Sequence, residues 1–143
     1  MGIAEVLLEK GLVTADQLAE AVELRKSGGV RLDRGLIQLG HLDPESMLKV
    51  LSEQLSIPMV DLSNRKIDVE TLRSLPAKLV YKKHLVPLER NNGSLTVATS
   101  DPYDLYAFDE VRLLTGLQVV PVLANESEMD KVIKTVYGVG GDT

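Results

Sequence analysis

The sequence predicts an α+β chain in two lobes: an N-terminal helical lobe of two tandem helical hairpins, then an α/β lobe with a small three-stranded sheet. Three observations predict it. The first third repeats itself at a spacing of 29 residues. An Asn92-Gly93 pair sits between two short runs of β-forming residues, which is the turn chemistry of a two-residue hairpin. Aromatic residues are only 3% of the 143-residue chain, against 44% hydrophobic. Leu, Val, Ile and Ala must therefore build the core, a composition that suits packed helices.

The repeat organises the first lobe. Shifted by 29 residues, Ile3 falls on Leu32, Leu7 on Leu36, Leu8 on Ile37 and Gly11 on Gly40. Further along, Val13 falls on Leu42, Thr14 on Asp43, Leu18 on Met47 and Val22 on Leu51. Each copy reads as a short helix, a glycine, a cap and a longer helix. Gly11 and Gly40 follow an apolar helical turn, where glycine ends a helix by entering positive φ at little cost. Thr14 caps the next helix with Gln17 three residues on, the spacing of a capping box. In the second copy Asp43 caps and Pro44 takes the first helical position, where a missing N–H is harmless. Leu18 and Val22, and likewise Met47 and Leu51, recur at four-residue spacing along one helical face. Such stripes are the mark of a plain helical core as readily as of a binding face. Ser27-Gly28-Gly29 joins the copies, and Pro58 closes the lobe before a short extended stretch at 59–62.

The pattern changes from Ile67. Residues 67–75 and 76–84 predict two short helices, the second opened by Pro76. Residues 85–88 predict a strand, Asn92-Gly93 the turn, and 94–98 the returning strand. Asp101-Pro102 repeats the cap-plus-proline helix start, with a helix over about 103–114 that Gly116 stops. Residues 119–123 predict a third strand, and Pro121 places it at an edge. A last helix covers about 127–137. The predicted division is 1–60 for the helical lobe, 61–138 for the α/β lobe and 139–143 for a flexible tail, with 138–141 reading as a linker or frayed end.

Composition excludes several classes of function. The net charge is −5 with no long basic run, which argues against an extended nucleic-acid polymer. One or two arginines can still hold a small anion. The absence of cysteine removes disulfides, zinc–thiolate sites and thiol catalysis. No apolar stretch approaches the roughly 20 residues that cross a bilayer, and the N-terminus lacks a signal-peptide pattern, so a cytoplasmic protein without membrane insertion is expected. No Gly-x-x-x-x-Gly-Lys-Ser/Thr phosphate loop is present, His41 and His84 lack metal-ligand spacing, and no serine has a nucleophile-elbow context. His41 is expected in an exposed turn. These observations predict a chain that is not an enzyme and carries no cofactor.

Two features together resemble a known family. One is the tandem motif, which in the family runs Arg-Leu-Gly-x-x-Leu-Val-x-x-Gly, then a variable stretch, then Leu-x-x-x-Leu-x-x-Gln. The other is the run Asn92-Gly93-Ser94-Leu95-Thr96-Val97-Ala98-Thr99-Ser100-Asp101-Pro102, with Asp109-Glu110-Val111-Arg112 and Thr115-Gly116-Leu117 after it. The chain is similar to the N-terminal domain of type II secretion and type IV pilus assembly ATPases, called the MshEN domain in its cyclic di-GMP-binding form. The resemblance implies a helical lobe, an α/β lobe and a dinucleotide lying along the tandem motifs. It implies contacts from Arg31, Leu32, Asp33, Leu36, Ile37, Gly40, Met47, Leu51 and Gln54 in the second copy. In the first copy it implies Ile3, Leu7, Leu8, Gly11, Leu18, Val22 and Arg25, with Asp104 added from the second lobe. A guanidinium pairs with phosphate or stacks on guanine, and leucines cover ring faces and sugars.

This chain departs from the pattern. Gly2 stands where the first motif has arginine, Ala4 where it has glycine, and Arg25 where it has glutamine. In the second copy Asp33 replaces glycine and Met47 replaces leucine. Asp33 is open to three readings: an acceptor for a guanine edge, a repeller of phosphate, or a helix cap. Asp101 reads as a helix cap. Arg25 either turns inward or stays on the surface, and Arg34 is expected as a solvated neighbour. Two functions follow as expectations. One is a cyclic di-GMP sensor that signals to a secretion or pilus ATPase motor. The other is a docking domain without ligand that binds an inner-membrane platform protein or a regulatory protein of the secretion or pilus system.

Overall fold

A computed structural model of the chain describes residues 2–137. The expected tail, 138–143, lies outside the described residues. The elements run α1 (Ile3–Glu9), α2 (Ala15–Gly28), α3 (Leu32–Gln38), α4 (Pro44–Leu55), α5 (Val69–Leu72), α6 (Ala77–Lys83), β1 (Leu85–Asn91), β2 (Ser94–Thr99), α7 (Leu105–Thr115), β3 (Gln118–Leu123) and α8 (Glu126–Tyr137). They fall into two compact units, Met1–Ser56 and Ile57–Thr143.

In the first unit the repeat is carried down to individual hydrogen bonds. After α1, the Gly11 N–H donates to the Leu8 carbonyl and the Leu12 N–H to the Leu7 carbonyl, both at 3.0 Å. After α3, Gly40 donates to Ile37 and His41 to Leu36, again at 3.0 Å. This is one Schellman stop used twice, and it requires the positive φ of Gly11 (71°) and Gly40 (79°). Thr14 and Gln17 complete a reciprocal capping box at the start of α2. Asp43 caps α4 through the Ser46 N–H, with Pro44 in the first turn. The copies interlock: α3 packs on α2 and α1 on α4. A Lys10–Glu53 ion pair at 3.1 Å accompanies the second of these contacts. Gly35 lies in the first of these contacts, where an added Cβ would meet Leu24 and Ala21 at an ordinary van der Waals distance of 3.6–3.7 Å. Leu7, Ala21, Leu36, Val50 and Leu51 form the core, none more than 2% exposed. Each large aliphatic side chain so buried contributes about 1.5–3 kcal/mol.

The second unit is a three-stranded sheet in the order β1-β2-β3, flanked by helices. Asn91 and Ser94 pair across the Asn92-Gly93 turn, and Gly93 has φ 73°. The crossover through α7 then lays β3 parallel to β2, opposite Val97 at Pro121. As expected from Pro121, β3 lies at an edge of the three-stranded order. Its free side is met by residues 58–60: Leu123 N–H donates to the Pro58 carbonyl and Val60 N–H to the Leu123 carbonyl, both 2.8 Å. This pairing ties the extended stretch after Pro58 to the second unit, and the division falls after Ser56. Leu95, Val97, Val86, Met129 and Ile133 centre an apolar core that draws on this unit alone.

Two expected elements differ. The helix expected over 67–75 shortens to Val69–Leu72, because the backbone from Ser74 turns into Pro76 and cannot continue an α-helix through it. The helix expected from Asp101-Pro102 begins instead at Leu105. Asp101 is drawn into a turn, where its N–H donates to Thr99 Oγ1 at 2.9 Å and its carboxylate accepts from the Tyr103 N–H at 3.1 Å. The cap of α7 is Asp104, which accepts from the Ala107 N–H at 3.2 Å. Among the described residues no helix is long and apolar enough to cross a membrane.

Candidate functional site

The charged centre of the first unit is the start of α3. Arg31 is its N-cap residue, in extended conformation, and its carbonyl accepts from the Gly35 N–H at 2.8 Å. The side chain folds back over the first turn. Arg31 Nε donates to Asp33 Oδ1 and Nη2 to Oδ2, each at 2.5 Å, a two-armed fork. The guanidinium is partly open to solvent and the carboxylate nearly sealed, at 30% and 9% side-chain exposure. Asp33 also places negative charge in the first turn of a helix, where the backbone dipole favours it. Of the three readings open for Asp33, the structure shows a fourth arrangement: its carboxylate is the partner of Arg31.

The aliphatic residues divide sharply. Leu7 and Leu36 are fully buried, Leu51 is 1% and Met47 3% exposed, and Leu18 is buried as well. These five side chains, expected from the resemblance to cover a nucleotide, here fill the space between the helices. The repeat itself explains this. The position one turn before each Schellman glycine is where the short helix meets the long helix of the other copy. Asp33 is likewise buried. The positions that reach the surface are Ile3, Leu32 and Ile37, half-buried, and Leu8, Gly11, Val22, Arg25, Gly40 and Gln54, exposed. The copies differ most sharply at Val22, which is 38% exposed where Leu51 is 1%. A Cβ at Gly11 or Gly40 would meet nothing within 4 Å, so these glycines answer to φ and not to crowding, and they leave backbone open at the surface.

Asp104 belongs to the second unit, and its Oδ1 caps α7 through the Ala107 N–H. The expected exposure of His41 is also corrected. It is half-buried, with Nε2 3.4 Å from Glu20 Oε1 between α2 and the end of α3. His84 turns out of α6 in the left-handed region at φ 52°, with Nδ1 3.1 Å from Asp130 Oδ1. Among the described residues no group of three or more His, Cys, Asp or Glu side chains could hold a metal ion.

Sequence reasoning missed one surface. Tyr103, Leu105, Tyr106, Leu113 and Leu114 are all more than half exposed, with Tyr106 at 86% and Leu113 at 81%. Tyr106 and Leu113 stand seven residues apart on α7, opposite the buried Ala107 and Val111. That spacing was a usable signal: two apolar positions on the face away from the core stripe. Beside it, a cavity of about 380 Å³ between α6 and α7 is lined by Leu79, Leu114, Lys78, Lys82 and Glu110 among others.

The MshEN domain model matches residues 55–143, which is the second unit and more than half of the chain. The chain belongs to the MshEN family. The tandem repeat of the first unit lies before the matched segment, so the likeness of that unit rests on whole-chain comparison. This MshEN chain is 27% identical over 139 residues to the type IV pilus assembly ATPase PilB of Myxococcus xanthus, covering 97% of the chain and 25% of that protein. It is 32% identical over 142 residues to type II secretion system protein E of Xanthomonas campestris pv. campestris, covering 96% and 25%. It therefore spans about a quarter of the length of the curated relatives it matches. A solved structure of MshE with cdg is similar to 96% of the chain and 99% of its own length, at TM-score 0.84 and 30% identity. The N-terminal domain of XpsE is similar at TM-score 0.76 and 30% identity, covering 95% and 94%. The matched region is an N-terminal domain and not the catalytic ATPase domain, in keeping with a sequence that holds no phosphate loop.

Proposed function

We propose that this MshEN chain is a cytoplasmic regulatory domain that binds cyclic di-GMP for a secretion or type IV pilus ATPase system, with Arg31 as its charged anchor. The observation that carries the reading is the likeness of nearly the whole chain, both units included, to MshE solved with cdg. Arg31 supplies the guanidinium that a phosphate or a guanine edge needs. Leu32, Ile37, Leu8 and Ile3 offer apolar cover at the surface, and Gly11 and Gly40 offer open backbone. The buried leucines act by holding those positions in place. Gly2 stands where the matching half-site would have a second arginine, so the site is one-armed. The missing charge-assisted contact is worth about 1.5–3 kcal/mol, or one to two decades of affinity. Binding then acts on the attached or associated motor by shifting the population of its conformations.

Calorimetric titration with cyclic di-GMP tests the reading. The chain should bind in the micromolar range, Arg31→Ala should lose at least tenfold, and Gly2→Arg should gain. Folded protein that gives no heat at high nucleotide concentration would remove the proposal.

The exposed face of α7 favours a second reading, a domain that docks on the cytoplasmic portion of an inner-membrane platform protein. Under it, Leu113→Asp abolishes co-purification with that portion while the melting temperature stays within a degree or two, since Leu113 is 81% exposed and packs on little. Retained binding by Leu113→Asp would clear α7 of that role.

A further inference from the structure

We infer that Asp33 is an internal competitor for Arg31: its carboxylate occupies the Nε–Nη2 edge that an anionic ligand would otherwise take, and so sets how tightly the site binds. The inference rests on the proposed nucleotide reading for its ligand, and on the first unit alone for its geometry. Guanidinium groups recognise phosphate and carboxylate through the same planar fork. Here Asp33 fills one such fork with both oxygens. The carboxylate is one of only two buried polar or charged side chains among the described residues, the other being Thr99. A phosphate that took the Nε–Nη2 edge would leave Asp33 out of water without its partner, and would bring a second anion beside it.

The sequence spacing makes the contact local. Arg31 is the N-cap residue of α3 and Asp33 stands two residues on, in its first turn. Both arms of the fork close within the first turn of α3. The matching positions of the first copy, Gly2 and Ala4, carry neither charge, so the pair belongs to the second copy alone. It follows that the erosion of the tandem motif is not only a loss at Gly2. The one arginine that remains is held in check by its neighbour, and affinity can be tuned at position 33 without touching a residue that meets the ligand. This makes Asp33 an affinity-determining residue that acts through Arg31.

The test uses the chain itself, Asp33→Asn, Asp33→Gly and Arg31→Ala. Two measurements are made: calorimetry with cyclic di-GMP, and the rate at which phenylglyoxal modifies Arg31, followed by mass spectrometry without nucleotide. Asp33→Asn keeps the shape and removes the charge; Asp33→Gly removes the buried group if the amide is not tolerated, and the outcome is read on whichever variant melts cooperatively. The expected result is about tenfold tighter cyclic di-GMP binding and modification of Arg31 several-fold faster than in the parent chain. If the parent binds through Arg31 and the Asp33 variant binds no better, the competitor role is overturned while the nucleotide reading stands. If no variant binds cyclic di-GMP, the nucleotide reading fails. The modification rate then decides the competitor role, which an unchanged rate overturns and a faster one sustains.

Discussion

At Arg31 a guanidinium with five donors meets a carboxylate that is almost wholly out of water, and the two close at 2.5 Å on both arms. A short side chain two residues away thereby holds an arginine whose counterpart in the first copy is Gly2. A second carboxylate in the same unit works differently. Asp43 is fully at the surface, and its pKa lies below the usual aspartate range, chiefly because the Ser46 hydroxyl and then the Ser46 N–H donate to it. A lowered folded-state pKa favours the charged form, so this cap supports the fold above the unfolded value and is lost as pH falls through the folded one. Stability measured between about pH 5 and pH 3 should fall in the parent chain. It should fall less steeply in Asp43→Asn, which caps without titrating. Equal slopes would mean that the cap does not titrate in the folding equilibrium.

Among elements, the start and stop signals were the most legible part of the chain. The capping box at Thr14, the Asp43-Pro44 start and the two glycine stops all stand where local chemistry put them, because each depends on residues within one turn. The same logic failed at Asp101-Pro102. The cap signal there was real but was used by a turn, because Thr99 Oγ1 takes the Asp101 N–H, and Asp104 three residues on caps instead. The site was less legible than the fold. Leucines at four-residue spacing cannot declare whether they face a ligand or a neighbouring helix, and Leu7, Leu36 and Leu51 face helices. The Arg31–Asp33 fork was hidden for another reason: a single Asp two residues past an Arg has several uses, and side-chain direction decides among them. At the other end of the chain, α8 is fastened by one tyrosine. The Tyr137 hydroxyl donates to the Leu72 carbonyl and lies 3.3 Å from that of Leu75. Burial raises its pKa, with the nearby Arg73 charge acting the other way. Tyr137→Phe leaves the two carbonyls without this donor and should cost about 1 kcal/mol, lowering the melting temperature by roughly 4–8 °C. A raised folded-state pKa means that the parent's advantage is whole below about pH 10 and shrinks as pH rises through the folded value. The difference between parent and Tyr137→Phe should therefore narrow in alkali.

As a whole molecule, the chain divides its labour between two cores. The first unit holds a duplicated motif that buries Leu7, Leu18, Leu36, Met47 and Leu51 and leaves Arg31 partly open to solvent. The second unit carries the family's α/β framework and an exposed apolar face on α7. The nucleotide proposal makes Arg31 the one side chain whose removal should silence the chain without unfolding it. The most direct measurement is a paired calorimetric titration of cyclic di-GMP into the parent and Arg31→Ala, with circular dichroism on both. The account predicts saturable micromolar binding by the parent, at least tenfold weaker binding by the variant, and matching spectra. Equal affinities in two folded proteins, or silence from both, would contradict it.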